Sequence, residues 1–234
     1  ADSPIDISTV AELTSFAESI KNDSTGGSGK FYRLTADINL ENKNWGGIGT
    51  VSNPFRGTFD GSGHIVKGFT MSLAPDSCAG LFNNIGEGGT VKNLGVDGVK
   101  ITLNQNWNYH SNAGGIAGQV MGGTVSGCYA KNITISNGKF PNAELSAGAG
   151  LVGLLGGNGG IVENSYALGV TVDQAETNYD AGLVGQVNAG NTIRNCYTDL
   201  YLVRGTTKAT VENSYFIVTP PWPWVTGDAS DRYM

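Results

Sequence analysis

The residues able to do chemistry are few and far apart. The two histidines, His64 and His110, stand alone, with no H-E-x-x-H helix to make a zinc peptidase. No G-x-S-x-G elbow is present to expose a nucleophilic serine. Glycine doublets such as Gly61-Ser62-Gly63 are common, but none opens a strand-loop-helix phosphate cradle, and 36 glycines in 234 residues supply such pairs by chance. Asp37, Asp60, Asp97, Asp173, Asp180 and Asp199 are scattered and do not pair as a glycosidase's two carboxylates must. Asp173, Glu176 and Asp180 offer oxygens of the kind calcium takes, but their spacing matches no known loop, so the expectation is no metal and no cofactor. Cys78, Cys128 and Cys196, odd in number and widely spaced, are neither a disulfide framework nor a zinc set.

The segments with binding character are Asn104–Asn112, Asn137–Ser146 and Asp173–Asp180. They set Trp107, Tyr109, His110, Phe140 and Tyr179 among asparagines, glutamine and acids. An aromatic face suits the apolar face of a sugar ring and an amide suits its hydroxyls. These five residues are the candidate ligand site, with a glycan or a host surface protein as partner. The sequence contains 14 Lys+Arg against 20 Asp+Glu, a net charge of −6, which disfavours a nucleic-acid partner. No apolar run is long enough to insert in a membrane. The first residues carry neither the basic nor the apolar region of a signal peptide. The composition, rich in Gly, Asn, Thr and Ser and poor in Lys, fits an exported bacterial β protein.

What positions those segments is a repeat. Similar units open at Gly80, Gly115, Gly150 and Gly182, so they are 35, 35 and 32 residues apart, with a partial copy at Thr210–Tyr215. Each holds three short runs of alternating β-branched and polar residues separated by Gly-rich steps, which read as strands and turns. Such strands cannot bury a face alone but can when stacked on copies of themselves. The expectation is an all-β single domain over residues 1–234. Its body is a parallel β-helix of about five to six three-strand coils over 31–218, with coils about 4.8 Å apart. The register predicts columns along the stack: Leu94, Cys128, Ser165, Cys196, Ser214; then Gly95, Tyr129, Tyr166, Tyr197, Tyr215; and Asn93, Gly127, Asn164, Asn195, Asn213. Val125, Val162 and Ile193 fall in the core. Glu163 should face Ser126 and Arg194. Ile65–Phe69 aligns by pattern with Thr90–Leu94. Thr9-Val10-Ala11-Glu12 opens a helix over 9–21, with Val10, Leu13, Ala17 and Ile20 on one face, that covers the first coil. The Pro220–Trp224 stretch within 219–234 reads as a cap on the last coil.

Gly150-Leu151-Val152-Gly153 and Gly182-Leu183-Val184-Gly185, each followed by a V-x-N-S/C-Y strand, resemble the GLUG-repeat family. So do Gly57-Thr58-Phe59-Asp60-Gly61 with His64, and the D-I-S-T-V-A-E-L and L-T-A-D-I-N-L segments. The resemblance spans residues 5–218. It departs at Asn83, which stands where the motif's last glycine belongs, and at Ile116-Ala117. The resemblance implies a β-helix and a secreted or surface-anchored bacterial protein; members are often described as adhesins, and some accompany immunoglobulin-cleaving metallopeptidase domains. It implies no catalytic residue and gives the motif glycines a structural role. The functional expectation is a monomeric, non-enzymatic extracellular binding or adhesion protein. The alternatives are a structural spacer displaying another domain and a glycan-active enzyme.

Overall fold

The computed structural model describes residues 3–73, 77–103, 111–136, 147–173, 180–206 and 208–216. Every strand pairing among them is parallel, and each links one coil to the next. The fold is the parallel β-helix the repeats predict.

Within a coil the chain runs through four walls. In the coil from residue 112 these are Asn112–Gly114, Ala117–Met121, Thr124–Ser126 and Tyr129–Ser136. The last three are the three strands expected from the sequence. The first is an addition: the Ala-Gly step pairs with Cys78–Ala79 below and Ala147–Ala149 above, making a short ladder of its own. Alanine and glycine carry too little side chain to show a period in the sequence.

The Thr-Val wall is the tallest, with eight rungs from Ile5–Ile7 to Thr210–Glu212. The stack extends beyond the clear repeats because divergent N-terminal turns join the same walls. Phe31–Leu34 and Ile38–Asn44 are the rungs these early turns add to two of the walls. The alignment of Ile65–Phe69 with Thr90–Leu94 is corrected. Thr90-Val91-Lys92 pairs with Thr58-Phe59-Asp60, while Ile65-Val66-Lys67 pairs with Gly95-Val96-Asp97 on the next wall. Short strands of period two look alike in sequence, and Phe59 hides the kinship by standing where later coils have valine.

The inward column of the Thr-Val wall contains Tyr32, Phe59, Val91, Val125, Val162 and Ile193, all buried. Side chains shrink along it because the N-terminal end is plugged by aromatics. Helix α1 (Val10–Lys21) lies over this end, held by its capping box: Glu12 N–H donates to Thr9 Oγ1 at 3.2 Å and Thr9 N–H to Glu12 Oε2 at 3.1 Å. Its buried face is Leu13, Phe16, Ala17 and Ile20, with Val10 packed at the margin. Phe16, absent from the expected face, is central to the plug: its ring is 4.3 Å from Tyr32 and 5.6 Å from Phe59. Burying such a ring contributes about 1.5–3 kcal/mol. Trp45 is buried and donates its Nε1–H to the Leu81 carbonyl.

The motif glycines mark where two walls touch. A Cβ on Gly118 would lie 2.7 Å from the Ala79 nitrogen, and one on Gly153 would lie 2.6 Å from the Gly118 carbonyl. The Ala-Gly wall therefore packs backbone to backbone on its neighbour, which only glycine permits. Asn83 takes the equivalent place in the first unit. There its amide donates to the Gly46 and Gly49 carbonyls at 3.0 and 3.3 Å, so the departure from the motif serves the end of the stack.

Candidate functional site

The loop-borne candidates Trp107, Tyr109, His110, Phe140 and Tyr179 lie outside the described residues, as do Glu176, Trp222 and Trp224. The strands that flank their segments are in register: Ser136 pairs with Thr102 and Asp173 on one side, and Ala147 with Asn112 on the other. The described strands on either side of all three segments thus meet at one vertex.

The described surface carries a second set of aromatics, on the corner between the Thr-Val wall and the following wall. Tyr129, Tyr166, Tyr197 and Tyr215 occupy one outward column in consecutive coils. The first three rings stack, Tyr129 on Tyr166 at 5.1 Å and 7°, and Tyr166 on Tyr197 at 4.8 Å and 11°. The spacing is that of the coils themselves. Gly95 ends the row because the Tyr129 ring lies directly over it, leaving no room for a Cβ. Lys131 caps the stack sideways, its Nζ 5.3 Å from the Tyr129 centroid and 5.6 Å from that of Tyr166. Burial, and after it the neighbouring Tyr166 phenol, pushes the Tyr129 hydroxyl above its usual value, so it stays neutral and can donate or accept.

Next to this column runs the asparagine column. Asn93, Asn164, Asn195 and Asn213 all adopt left-handed backbone, with φ between 45° and 55°, and Gly127 fills the same place at 62°. That conformation selects Asn or Gly and makes the corner turn. Asn195 Nδ2 donates to Asn164 Oδ1 at 3.1 Å, one step of the expected amide ladder. Where Gly127 interrupts the column, Asn93 Nδ2 turns to Asp60 Oδ1 at 3.2 Å.

Beyond it lies a charged column whose sign alternates over most of its length: Asp6, Arg33, Asp60, Lys92, Ser126, Glu163, Arg194, Glu212. Arg33 pairs with Asp6 at 2.8 Å and Lys92 with Asp60 at 3.3 Å. Glu163 accepts from Arg194 Nε at 2.7 Å and from Ser126 Oγ at 2.9 Å, as its register predicts. The Arg194 hydrogen bond holds the Glu163 carboxyl below its ordinary value.

His64 is tied to a carboxylate, its Nδ1 3.0 Å from Asp37 Oδ1. Among the described residues no group of three His, Cys, Asp or Glu is placed to hold a metal. The three cysteines are buried and unpaired, with Ser165 between Cys128 and Cys196 in their column; its Oγ accepts from Cys128 N–H. Burial pushes their thiols up, to about 11 for Cys78 and Cys196 and about 12 for Cys128.

The sequence showed the tyrosine column as a mark of register. Its exposure follows from geometry: the buried residues on either side of the corner point inward, so the tyrosines must point out. What the corner offers a ligand is a row of phenol hydroxyls, ring edges and side-chain amides at coil spacing.

Residues 109–136, spanning one coil, match the family model described as the GLUG motif. The chain is 30% identical over 139 residues to Halomucin of Haloquadratum walsbyi, covering 54% of this chain and 2% of Halomucin. It is 35% identical over 83 residues to a "Putative Gly-rich membrane protein" of Evansella cellulosilytica, covering 33% of this chain and 10% of that protein. Its fold matches the crystal structure of a "putative immunoglobulin A1 protease" from Bacteroides ovatus, with a TM-score of 0.66 and 18% identity, over 91% of this chain and 67% of the other.

Proposed function

We propose that this GLUG-repeat β-helix is an extracellular surface protein that binds a glycan, without turnover, in an adhesive role. The observation that carries the reading is the tyrosine column. Four aromatic side chains occupy an outward position that the fold also fills with glycine, at Gly95, so stacking the coils does not require them. Flanked by a column of asparagine amides, they make a surface suited to hydroxyls and sugar rings. A surface location is supported by the name of the Evansella relative, which calls it a membrane protein. The chemistry calls for no cofactor and no second copy of the chain.

A broad glycan array tests this, paired with a reducing-end assay on each polysaccharide bound. Binding with no new reducing ends is expected. Release of reducing ends would make the protein a glycan-active enzyme. The double variant Trp107→Ala/Tyr109→Ala reports on the loop vertex. It should lose binding, with the melting temperature within a few degrees of the parent, if the loops share the ligand.

A second reading, a structural spacer, has its own support. The chain spans 2% and 10% of the two curated relatives, so in them the matching region is a small part of a long protein. A spacer would show no ligand on the array.

A further inference from the structure

Exposed large apolar side chains are concentrated at the C-terminal end of the described stack, on its last two coils. Tyr197, Leu200, Tyr201 and Tyr215 are 39%, 38%, 48% and 63% exposed, whereas the three others so exposed among the described residues, Ile5, Val51 and Met121, stand singly. The tyrosine stack also changes here. Tyr197 continues it on one face, but among the described residues Tyr215, its backbone partner in the next coil, makes no ring contact. The Tyr197 and Tyr215 rings, both exposed, therefore do not stack on each other as the earlier rings of the column do. Among the described residues, the Asn213 side chain, two residues before Tyr215, makes no hydrogen bond, while Asn195 and Asn164 in the same column bond each other. Open aromatic faces beside an uncommitted amide thus occur together at this end of the column, and the rest of the column lacks the combination.

We propose that Tyr197, Tyr215 and Asn213 form a stacking subsite for a pyranose ring of a neutral polysaccharide. The chain of that polysaccharide runs along the coil axis past the Tyr166 and Tyr129 hydroxyls. This names the ligand class of the binding surface proposed above and rests on that reading. An aromatic face takes the C–H face of a sugar, the Asn213 amide takes two of its hydroxyls, and the hydroxyls of tyrosine rings whose centroids are 4.8–5.1 Å apart continue the contact. Neutrality follows from charge. The protein has a net charge of −6, Glu212 borders the subsite, and Arg194 beside it is paired with Glu163. A polyanion would meet net repulsion.

Affinity electrophoresis of the full chain tests the assignment, with hydroxyethyl cellulose and galactomannan as neutral probes and polygalacturonate as the polyanion. At least one neutral polymer should retard the protein and polygalacturonate should not. Tyr215→Ala and Tyr215→Leu should each weaken that retardation about tenfold, Tyr215→Phe less than about twofold, and Val51→Ala, at a distant exposed site, not at all. Tyr215→Leu keeps the bulk and loses the ring, so it answers the question even if the alanine variant melts early. Neutral binding that survives both Tyr215→Leu and Tyr197→Ala overturns the subsite and leaves the proposed function standing. Retardation by polygalacturonate alone overturns the ligand class. Retardation by none of the three polymers overturns the inference, and an empty glycan array would take the binding function with it.

Discussion

A buried valine, the three thiols and one paired carboxylate show how much a single position decides in a stack where every coil repeats the last. Val162 is fully buried between Val125 and Ile193. Val162→Asp leaves an unpaired carboxylate there and should cost about 4 kcal/mol or more, read from denaturant unfolding. An unchanged midpoint would mean that this strand faces the other way. The thiols behave oppositely, as groups silenced by burial. With pKa values of about 11 to 12, Cys78, Cys128 and Cys196 should resist a thiol reagent up to pH 9 in the folded protein. All three should react at once when it is unfolded without reductant. Glu163 supplies the pH dependence. Its folded pKa lies below the ordinary 4.5, held there by Arg194. Its contribution to stability is therefore fully present above that ordinary value and lost as pH falls through the depressed folded value. Arg194 is exposed enough for solvent to screen the pair, so the gain is about 0.2–1 kcal/mol. Arg194→Gln should flatten this part of the acid-side slope in a urea titration between pH 5 and 3.

At the scale of strands and turns, backbone approach matters more than side-chain attraction. Gly153→Ala pushes a Cβ into the Gly118 carbonyl and the Ala113 nitrogen, and should cost about 1–3 kcal/mol. Asn83→Gly restores the motif at the end of the stack but removes two hydrogen bonds, and should cost about 1 kcal/mol. Matching urea midpoints for Gly153→Ala and the parent would refute the close contact between the two walls. The corner turns give a third comparison: Asn195→Gly should be better tolerated than Asn195→Ala, since φ is 55° there. How legible these elements were depended on side-chain period. The Thr-Val strands, the capping helix and the columns through Cys128, Tyr129 and Asn164 could be read because valine, tyrosine and asparagine recur at fixed steps. The Ala113 and Ala149 strands could not, because small residues carry no alternation. Ile5–Ile7 is three residues long and pairs across the helix with Phe31–Leu34, a long-range contact no local pattern announces. The solvent-facing side of the tyrosine column is illegible in the sequence for another reason. Its regularity explained itself as packing, and only the open ring of Tyr215 separates packing from presentation.

Across the whole molecule, the alternation of the charged column makes the number of coils matter. Removing the single coil 93–126 would leave Lys92 facing Glu163, an attractive pair. Removing residues 164–194 would put Glu163 directly against Glu212, an unfavourable contact about 4.8 Å away. Coils are thus interchangeable in shape but not in charge. The eight-rung wall has a further consequence, a mechanical one. Ile5–Ile7 and Thr210–Glu212 are its opposite edges, so tension applied through them acts along the axis, across strands that lie perpendicular to it. Hydrogen bonds between coils are then loaded one rung at a time, by unzipping, and not all together in shear. Stretched singly, the protein should lengthen in steps of about 100–130 Å as coils of 34, 37 and 31 residues come away in turn. A rod that yields coil by coil pays out length under a pull while its remaining turns stay folded, which is how a shock absorber behaves.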